Sequence, residues 1–328
     1  MKLNTSVKYM DYYIPEKTVS VDEILSMNKN ISIDSVNNYD EFVQQFRKQS
    51  GLDRIAVLDS KDNLANIASD MVDKLFQNTD IKPSEIKYLV CGNRVLMDDN
   101  ISTIHYIQKK FNLENAVILP IFQDCASTLI AMGISEKLLN KSAKEYMLVL
   151  TARKCPDIKG RYVGFTVMGD GLSLVLIENK PGRINITNWC SYNNGVSSYS
   201  KMEGSAKSLS VINLQMNIIT SGVSFLQRSM KKIDIMMENI DKIIHPNTNY
   251  DVFHELYSNL LNIEPTKFYL DNIRNGGHIN DVDLVRNTKD YIYKNKSQKK
   301  RMNVLIYGID LVQSLDINYH IITLEISL

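Results

Sequence analysis

The chain has 328 residues, 44% of them hydrophobic and 23% charged, with a formal net charge of +1. That length can bury a large core and accommodate two fused halves, while the balanced charge argues against broad electrostatic binding of nucleic acid or an anionic membrane. Met1 to Tyr13 carries Lys2, Lys8 and Asp11 and no apolar signal core, no apolar run is long enough to span a bilayer, and the four cysteines show neither a CxxC pair nor metal-ligand spacing with the histidines. A protein of the reducing cytoplasm with no metal and no resident cofactor is expected.

In chain order, Ser20 followed by Glu23 marks a capped helix start ahead of Ile24 and Leu25. Asn28 to Asn38 is polar and reads as a surface loop. Leu64 to Phe76 places Leu64, Ile67, Ala68, Met71, Val72, Leu75 and Phe76 at helical spacing. Asp80 to Glu85 is a turn or short helix feeding a buried strand that ends at Cys91. Ile101 to Phe111 is expected as a helix, Val117 to Phe122 as a strand, and Cys125 as the opening of a helix reaching about Lys141. Tyr146 to Thr151 is another buried strand. Phe165 to Ile177 reads as two strands joined by a tight turn at Gly169-Asp170-Gly171.

The second half echoes the first. After a helix at Val223 to Met230, the stretch from Ile233 to His245, a connector and then a strand, has the form of Ile81 to Cys91. Met236-Met237 is expected in the core, and Tyr319 to Leu328 as a closing strand. Strands alternating with helices point to largely parallel, buried sheets. Lys294 to Arg301 is a basic run, either a solvated face or a docking patch for an anionic partner.

Cys125 carries the chemistry. An apolar run leads into it and a segment of small residues follows, so the thiol stands where a helix begins. Unpaired amides and the positive end of the helix dipole favour thiolate there, and a thiolate is a nucleophile. His245, in Ile243-Ile244-His245-Pro246-Asn247, and His278, in Gly276-Gly277-His278-Ile279, each follow in a loop setting that can face it. His105, His254 and His320 sit within periodic segments and read as packing or surface residues. Asn247 is a candidate partner of His245, and Asp283 a candidate to orient His278.

The order of these residues resembles the ketoacyl synthase III family of the thiolase superfamily, over nearly the whole chain. Ile14 to Val19 looks like the family's N-terminal signature, Met168-Gly169-Asp170-Gly171 like its Gly-Asp-Gly-Ala turn, and Gly308 stands in its C-terminal glycine loop. The resemblance implies an α/β thiolase-like fold with two similar halves in an αβαβα sandwich, residues 1–172 carrying the nucleophile and 173–328 the two histidines. It implies a homodimer that takes an acyl group from acyl-coenzyme A or an acyl carrier protein onto Cys125. The N–H groups of Cys125 and Gly308 would form the oxyanion hole, and His245 and His278 would assist decarboxylative Claisen condensation with a malonyl-type thioester. Gly277-His278 replaces the initiating enzymes' Gly-Asn, and Tyr307-Gly308-Ile309-Asp310 shortens the glycine loop. Two alternatives stay open: transfer of the acyl group from cysteine to an alcohol or amine, and a non-catalytic partner subunit.

Overall fold

The computed structural model describes residues 2–28, 38–92, 95, 101–123, 125–194, 211–298, 301–311 and 316–328. Most of the expected Asn28 to Asn38 loop and part of the basic run lie outside the described residues.

The first half opens with β1 (Lys2–Tyr13) and β2 (Thr18–Ser20), then α1 (Val21–Ser26), whose first turn is capped by Ser20 accepting from the Glu23 N–H at 3.1 Å. Next come α2 (Tyr39–Ser50), β3 (Arg54–Ala56), α3 (Leu64–Asn78) and β4 (Ile86–Cys91). They are followed by α4 (Thr103–Lys110), β5 (Val117–Pro120), α5 (Ser127–Leu138), β6 (Tyr146–Arg153) and β7 (Gly171–Glu178). The second half has β8 (Ile184–Asn194), α6 (Val211–Ile233), β9 (Lys242–Ile244), a π-helical segment at Val252–Tyr257 and the short α7 (Ser258–Leu261). It closes with β10 (Asn275–Gly276), α8 (Asp281–Asn295), β11 (Arg301–Leu311) and β12 (Ile317–Ser327).

Nine strands are hydrogen-bonded in the order β5-β4-β6-β7-β1-β8-β12-β11-β9. Outward from the β1–β8 contact, the two arms run β1-β7-β6-β4-β5 and β8-β12-β11-β9, the same succession of first strand, hairpin and parallel strand. Two expectations need correction. The nine-stranded sheet is mixed and not largely parallel, because β1/β7, β1/β8, β6/β7, β8/β12 and β11/β12 pair antiparallel while β4/β5, β4/β6 and β9/β11 are parallel. The expected division after residue 172 cuts through β7, which pairs with β6 and β1, so the topology changes halves between β7 and β8.

Strand alternation builds the layers. On β6 and β7, Met147, Val149, Val175 and Ile177 point to a central core with Leu129 and Met132 of α5 and Leu284 and Val285 of α8. Their neighbours Leu148, Leu150, Leu172 and Leu174 point the other way, onto Leu64, Val72 and Leu75 of α3 and Ile104 and Ile107 of α4. On β11 and β12, Val304, Ile306, Ile322 and Leu324 join the same central core, while Leu305, Tyr307, Tyr319 and Ile321 face Val223, Leu226 and Met230 of α6. Helix, sheet, helix, sheet and helix alternate, the αβαβα sandwich. The methionine step departs from expectation: Met237 packs on the outer core, but Met236 is 64% exposed.

A small second sheet, β10-β3-β2, ties the two halves together near the site. Residues 165–168 form no strand of the main sheet. They make isolated bridges, Tyr162 to Val167 and Met168 to His278. The His278 N–H donates to the Val167 carbonyl at 2.9 Å, and the Gly169 N–H to the His278 carbonyl at 3.0 Å. Gly277 has φ of 78°, and a Cβ there would lie 2.7 Å from Ile55 Cγ2 and 2.9 Å from the Val167 carbonyl oxygen, so only glycine fits. Beside this seam, Arg161 and Asp170 form a buried two-pronged ion pair at 2.9 and 2.7 Å.

Candidate active site

Cys125 sits in a tight turn between β5 and α5. The N–H groups of Ala126 and Ser127 both close on the Gln123 carbonyl at 2.9 Å, and Ser127 Oγ donates to the Ile121 and Gln123 carbonyls. Helix α5 therefore begins two residues beyond the cysteine and ends at Leu138, short of the expected Lys141. The thiol is half-buried, whereas Cys91, Cys155 and Cys190 are buried. Burial pushes the Cys91 thiol up to about 11, the environment of an inert cysteine.

His278 is 5% exposed, and its Nε2 lies 3.4 Å from Cys125 Sγ. Its Nδ1 meets Asp283 Oδ2 at 2.6 Å. A carboxylate at that distance holds the proton on Nδ1 and leaves the Nε2 lone pair facing the thiol. Asp283 is fully buried and fixed from several sides. It accepts the Asn247 N–H at 2.9 Å, Asn247 Nδ2 at 3.1 Å and the Ile279 N–H at 3.2 Å. Asn287 Nδ2 in turn donates to Asn247 Oδ1 at 2.9 Å and to the His245 carbonyl at 3.0 Å. Helix α8 thus delivers Asp283 to the loop that carries the base and Asn287, one turn on, to the His245–Asn247 loop.

His245 is fully buried, and its Nε2 has no hydrogen-bond partner among the described residues. Its ring stacks on Phe253 of the π-helical segment with centroids 3.7 Å apart, and stands edge-on to Phe268 at 5.7 Å. Nδ1 meets the Pro246 carbonyl oxygen at 2.9 Å, and burial pushes the pKa down to about 4, so the ring is a neutral core group at pH 7. Asn247, expected to serve His245, serves Asp283 instead, because its backbone N–H and amide converge on that carboxylate. Gly308 of β11 runs against the nucleophile, where an added Cβ would fall 3.2 Å from the Cys125 carbonyl oxygen.

Two buried groups at this turn escape sequence reasoning. His320, opposite Gly308 across β11–β12, places Nε2 2.8 Å from Gln123 Oε1. Asp281, 2% exposed, accepts the Thr128 N–H at 2.9 Å in the first turn of α5. Neither follows from a period or a motif. Burial above all, with the charge of Asp310 adding to it, pushes the Asp281 carboxyl up to about 8 against the pull of Thr128 and Ser127. The folded state therefore binds the proton more tightly than the unfolded chain, and this group's contribution to stability is lost as pH rises from the ordinary carboxylate range through about 8. Asp281→Asn keeps an oxygen for Thr128 and removes the titration. It should raise the melting temperature, by a margin that widens from pH 5 to pH 8 in thermal scans; a constant margin would mean the carboxyl stays ionised.

Among the described residues no group of histidine, cysteine and carboxylate side chains is arranged to hold a metal ion, and no helix is long and apolar enough to cross a membrane.

No family model matches the chain. Two curated proteins, the beta-ketoacyl-[acyl-carrier-protein] synthases III of Streptococcus suis strains 05ZYH33 and 98HAH33, are each 22% identical over 181 residues, 54% of this chain and 52% of theirs. The chain thus matches about half the length of these relatives. Similar solved structures include the acyltransferase ChlB3 (TM-score 0.76, 14% identity, 99% of this chain and 98% of that one). The 3-oxoacyl-[acyl-carrier-protein] synthase III of Aquifex aeolicus superposes with a TM-score of 0.75, 16% identity and coverage of 98% and 99%. OleA of Xanthomonas campestris does so at 0.74, 12% identity and 98% of both chains. The fold is that of these thiolase-like enzymes.

Proposed function

We propose that this chain, a ketoacyl synthase III-like protein, takes an acyl group from an acyl-thioester onto Cys125 and joins it to a malonyl-type thioester by decarboxylative Claisen condensation. The contact that carries the reading is Cys125 Sγ to His278 Nε2 at 3.4 Å, with Asp283 behind His278. His278 Nε2 takes the thiol proton, and the thiolate attacks the thioester carbonyl. The N–H groups of Cys125 and Gly308 receive the oxyanion. Collapse breaks the bond to the donor's sulfur, which leaves with the proton held by His278. A malonyl-type thioester then loses carbon dioxide, and its enolate carbon attacks the acyl-cysteine and releases the thiolate.

One observation favours a second reading, transfer of the acyl group to an alcohol or amine. The thiol contacts His278, and a single carboxylate, Asp283, backs that ring. Nucleophile, base and orienting acid suffice for acyl transfer, with His278 deprotonating the acceptor.

The donor would be acyl-coenzyme A or an acyl carrier protein, whose phosphopantetheine arm is part of the substrate, so no resident cofactor is needed. A homodimer is supported by β5, an edge strand with Val117 52% exposed and Phe122 beyond it 56% exposed, because an open apolar edge invites pairing with a second copy. A reducing cytoplasm suits a nucleophile that must remain a thiol.

Intact-protein mass spectrometry after incubation with acetyl-, butyryl- and octanoyl-coenzyme A should show one added acyl group, absent from Cys125→Ala. Carbon dioxide released from malonyl-coenzyme A by the acylated protein would select condensation; transfer without release would select the second reading. A folded protein that takes no acyl group would sink both and leave the non-catalytic partner.

A further inference from the structure

We propose that Gln123, held in place by His320, donates a side-chain hydrogen bond to the thioester carbonyl oxygen attacked by Cys125. The inference rests on the acyl-thioester reading and adds a side-chain donor to the N–H groups of Cys125 and Gly308.

Gln123 belongs to the turn that presents the thiol. Its carbonyl accepts the Ala126 and Ser127 N–H groups at 2.9 Å and Ser127 Oγ at 2.7 Å, so its backbone cannot shift independently of Cys125. One end of its side chain is equally fixed, with Oε1 2.8 Å from His320 Nε2. The direction of that bond follows from the ring. Burial pushes the His320 pKa down to about 4, so the ring carries one proton at pH 7. Nδ1 is buried with no partner, and a proton there would be an unsatisfied donor. The proton is therefore on Nε2, and the Gln123 oxygen accepts it. That leaves both Nε2 hydrogens of Gln123 on the other side of the amide, without a partner among the described residues and in a half-buried residue two positions from the nucleophile. The strand beneath completes the placement: His320 pairs across from Gly308, the residue packed against the Cys125 carbonyl. An oriented N–H pair in the turn that presents the thiol suits a developing oxyanion. His320 is then a positioning residue, acting only through Gln123.

The test separates donation from arrangement of the thiol. Gln123→Met keeps the volume and removes the donor. Two rates are measured at Cys125 by intact-protein mass spectrometry: acylation by acetyl-, butyryl- or octanoyl-coenzyme A, whose transition state develops an oxyanion, and alkylation by iodoacetamide, whose does not. The expected result is acylation about 10²-fold slower, the effect of losing one oxyanion donor, with alkylation essentially unchanged. His320→Leu, which frees the amide to rotate, should move acylation in the same direction by less. Equal losses in both rates would overturn the proposal, because the amide then only arranges the thiol. Unchanged acylation in Gln123→Met, while the wild type acylates, would overturn it and leave the acyl-thioester reading standing. A wild type that alkylates at Cys125 but never acylates would remove both.

Discussion

Replacing Asp283 by asparagine should slow acylation of Cys125 by about 10³- to 10⁴-fold, the cost of putting a triad histidine into the wrong tautomer. The environment of the carboxylate forces that outcome. Asp283 is ringed by donors, namely the Asn247 N–H, Asn247 Nδ2, the Ile279 N–H and His278 Nδ1. An asparagine there has one oxygen, which the fixed backbone donors will claim, so its NH₂ turns toward His278. Nδ1 must then accept, the imidazole proton moves to Nε2, and the lone pair that faced the thiol is gone. The volume hardly changes, so the fold should survive with a modest loss of stability. Acylation rates and the pH dependence of iodoacetamide alkylation report the effect. In the variant, alkylation should require a higher pH, because the thiol no longer has a base beside it. A rate within tenfold of wild type would mean that Asp283 does not set the tautomer of His278.

Arg161→Met should cost about 3–5 kcal/mol of stability. Both partners of the ion pair are buried, with side chains 3% and 1% exposed, so the loss is not screened by solvent. Asp170 would keep the N–H groups of Leu58 at 2.9 Å and Cys155 at 2.8 Å, but its charge would be left without a counterion in the interior. A drop in melting temperature of roughly 10 °C is expected. Arg161→Met combined with Asp170→Leu should recover part of it, because removing both charges removes the stranded one. The effect should reach the site as well. Arg161 also donates to the Met168 carbonyl, and Met168 bridges His278, so acylation should fall more than the fraction of unfolded protein explains. A double variant no more stable than the single one would show that the cost is packing and not charge.

The outline of the fold is legible in the residues, because the buried strands β4 and β6 are short apolar runs, the edge strand β5 is an apolar run leading to the cysteine, and α3 carries its apolar stripe at helical spacing. Helix α2 is missing from the sequence expectations, although Asn38 caps it through the Glu41 N–H and Gly51 closes it at φ of 72°. Its stripe is set among charged residues, which mask the period. The order of strands is less legible, since pairing depends on contacts between distant segments and a hairpin reverses direction within a few residues. At the site, Cys125, His278 and Asp283 meet as their local contexts suggest. The orientation of His245 is not legible from its motif. A strand ending in His-Pro-Asn tells where the backbone emerges but not which way the ring turns, and the rings that claim it, Phe253 and Phe268, lie elsewhere in the chain. Gln123, Asp281 and His320 have no sequence signal, since their chemistry comes from burial alone.

The pairing of β10 with β3 has a consequence for the timing of activity. Asn275 and Gly276 lie parallel to Arg54 and Ile55, and the loop that follows hangs His278 over a thiol carried by a different part of the chain. Such contacts, remote in sequence, close late in folding because the loop entropy must be spent before they form. Until then Cys125 is a thiol without a base. The newly made chain is in this sense latent. Its nucleophile gains a base only when the two halves have locked around the site.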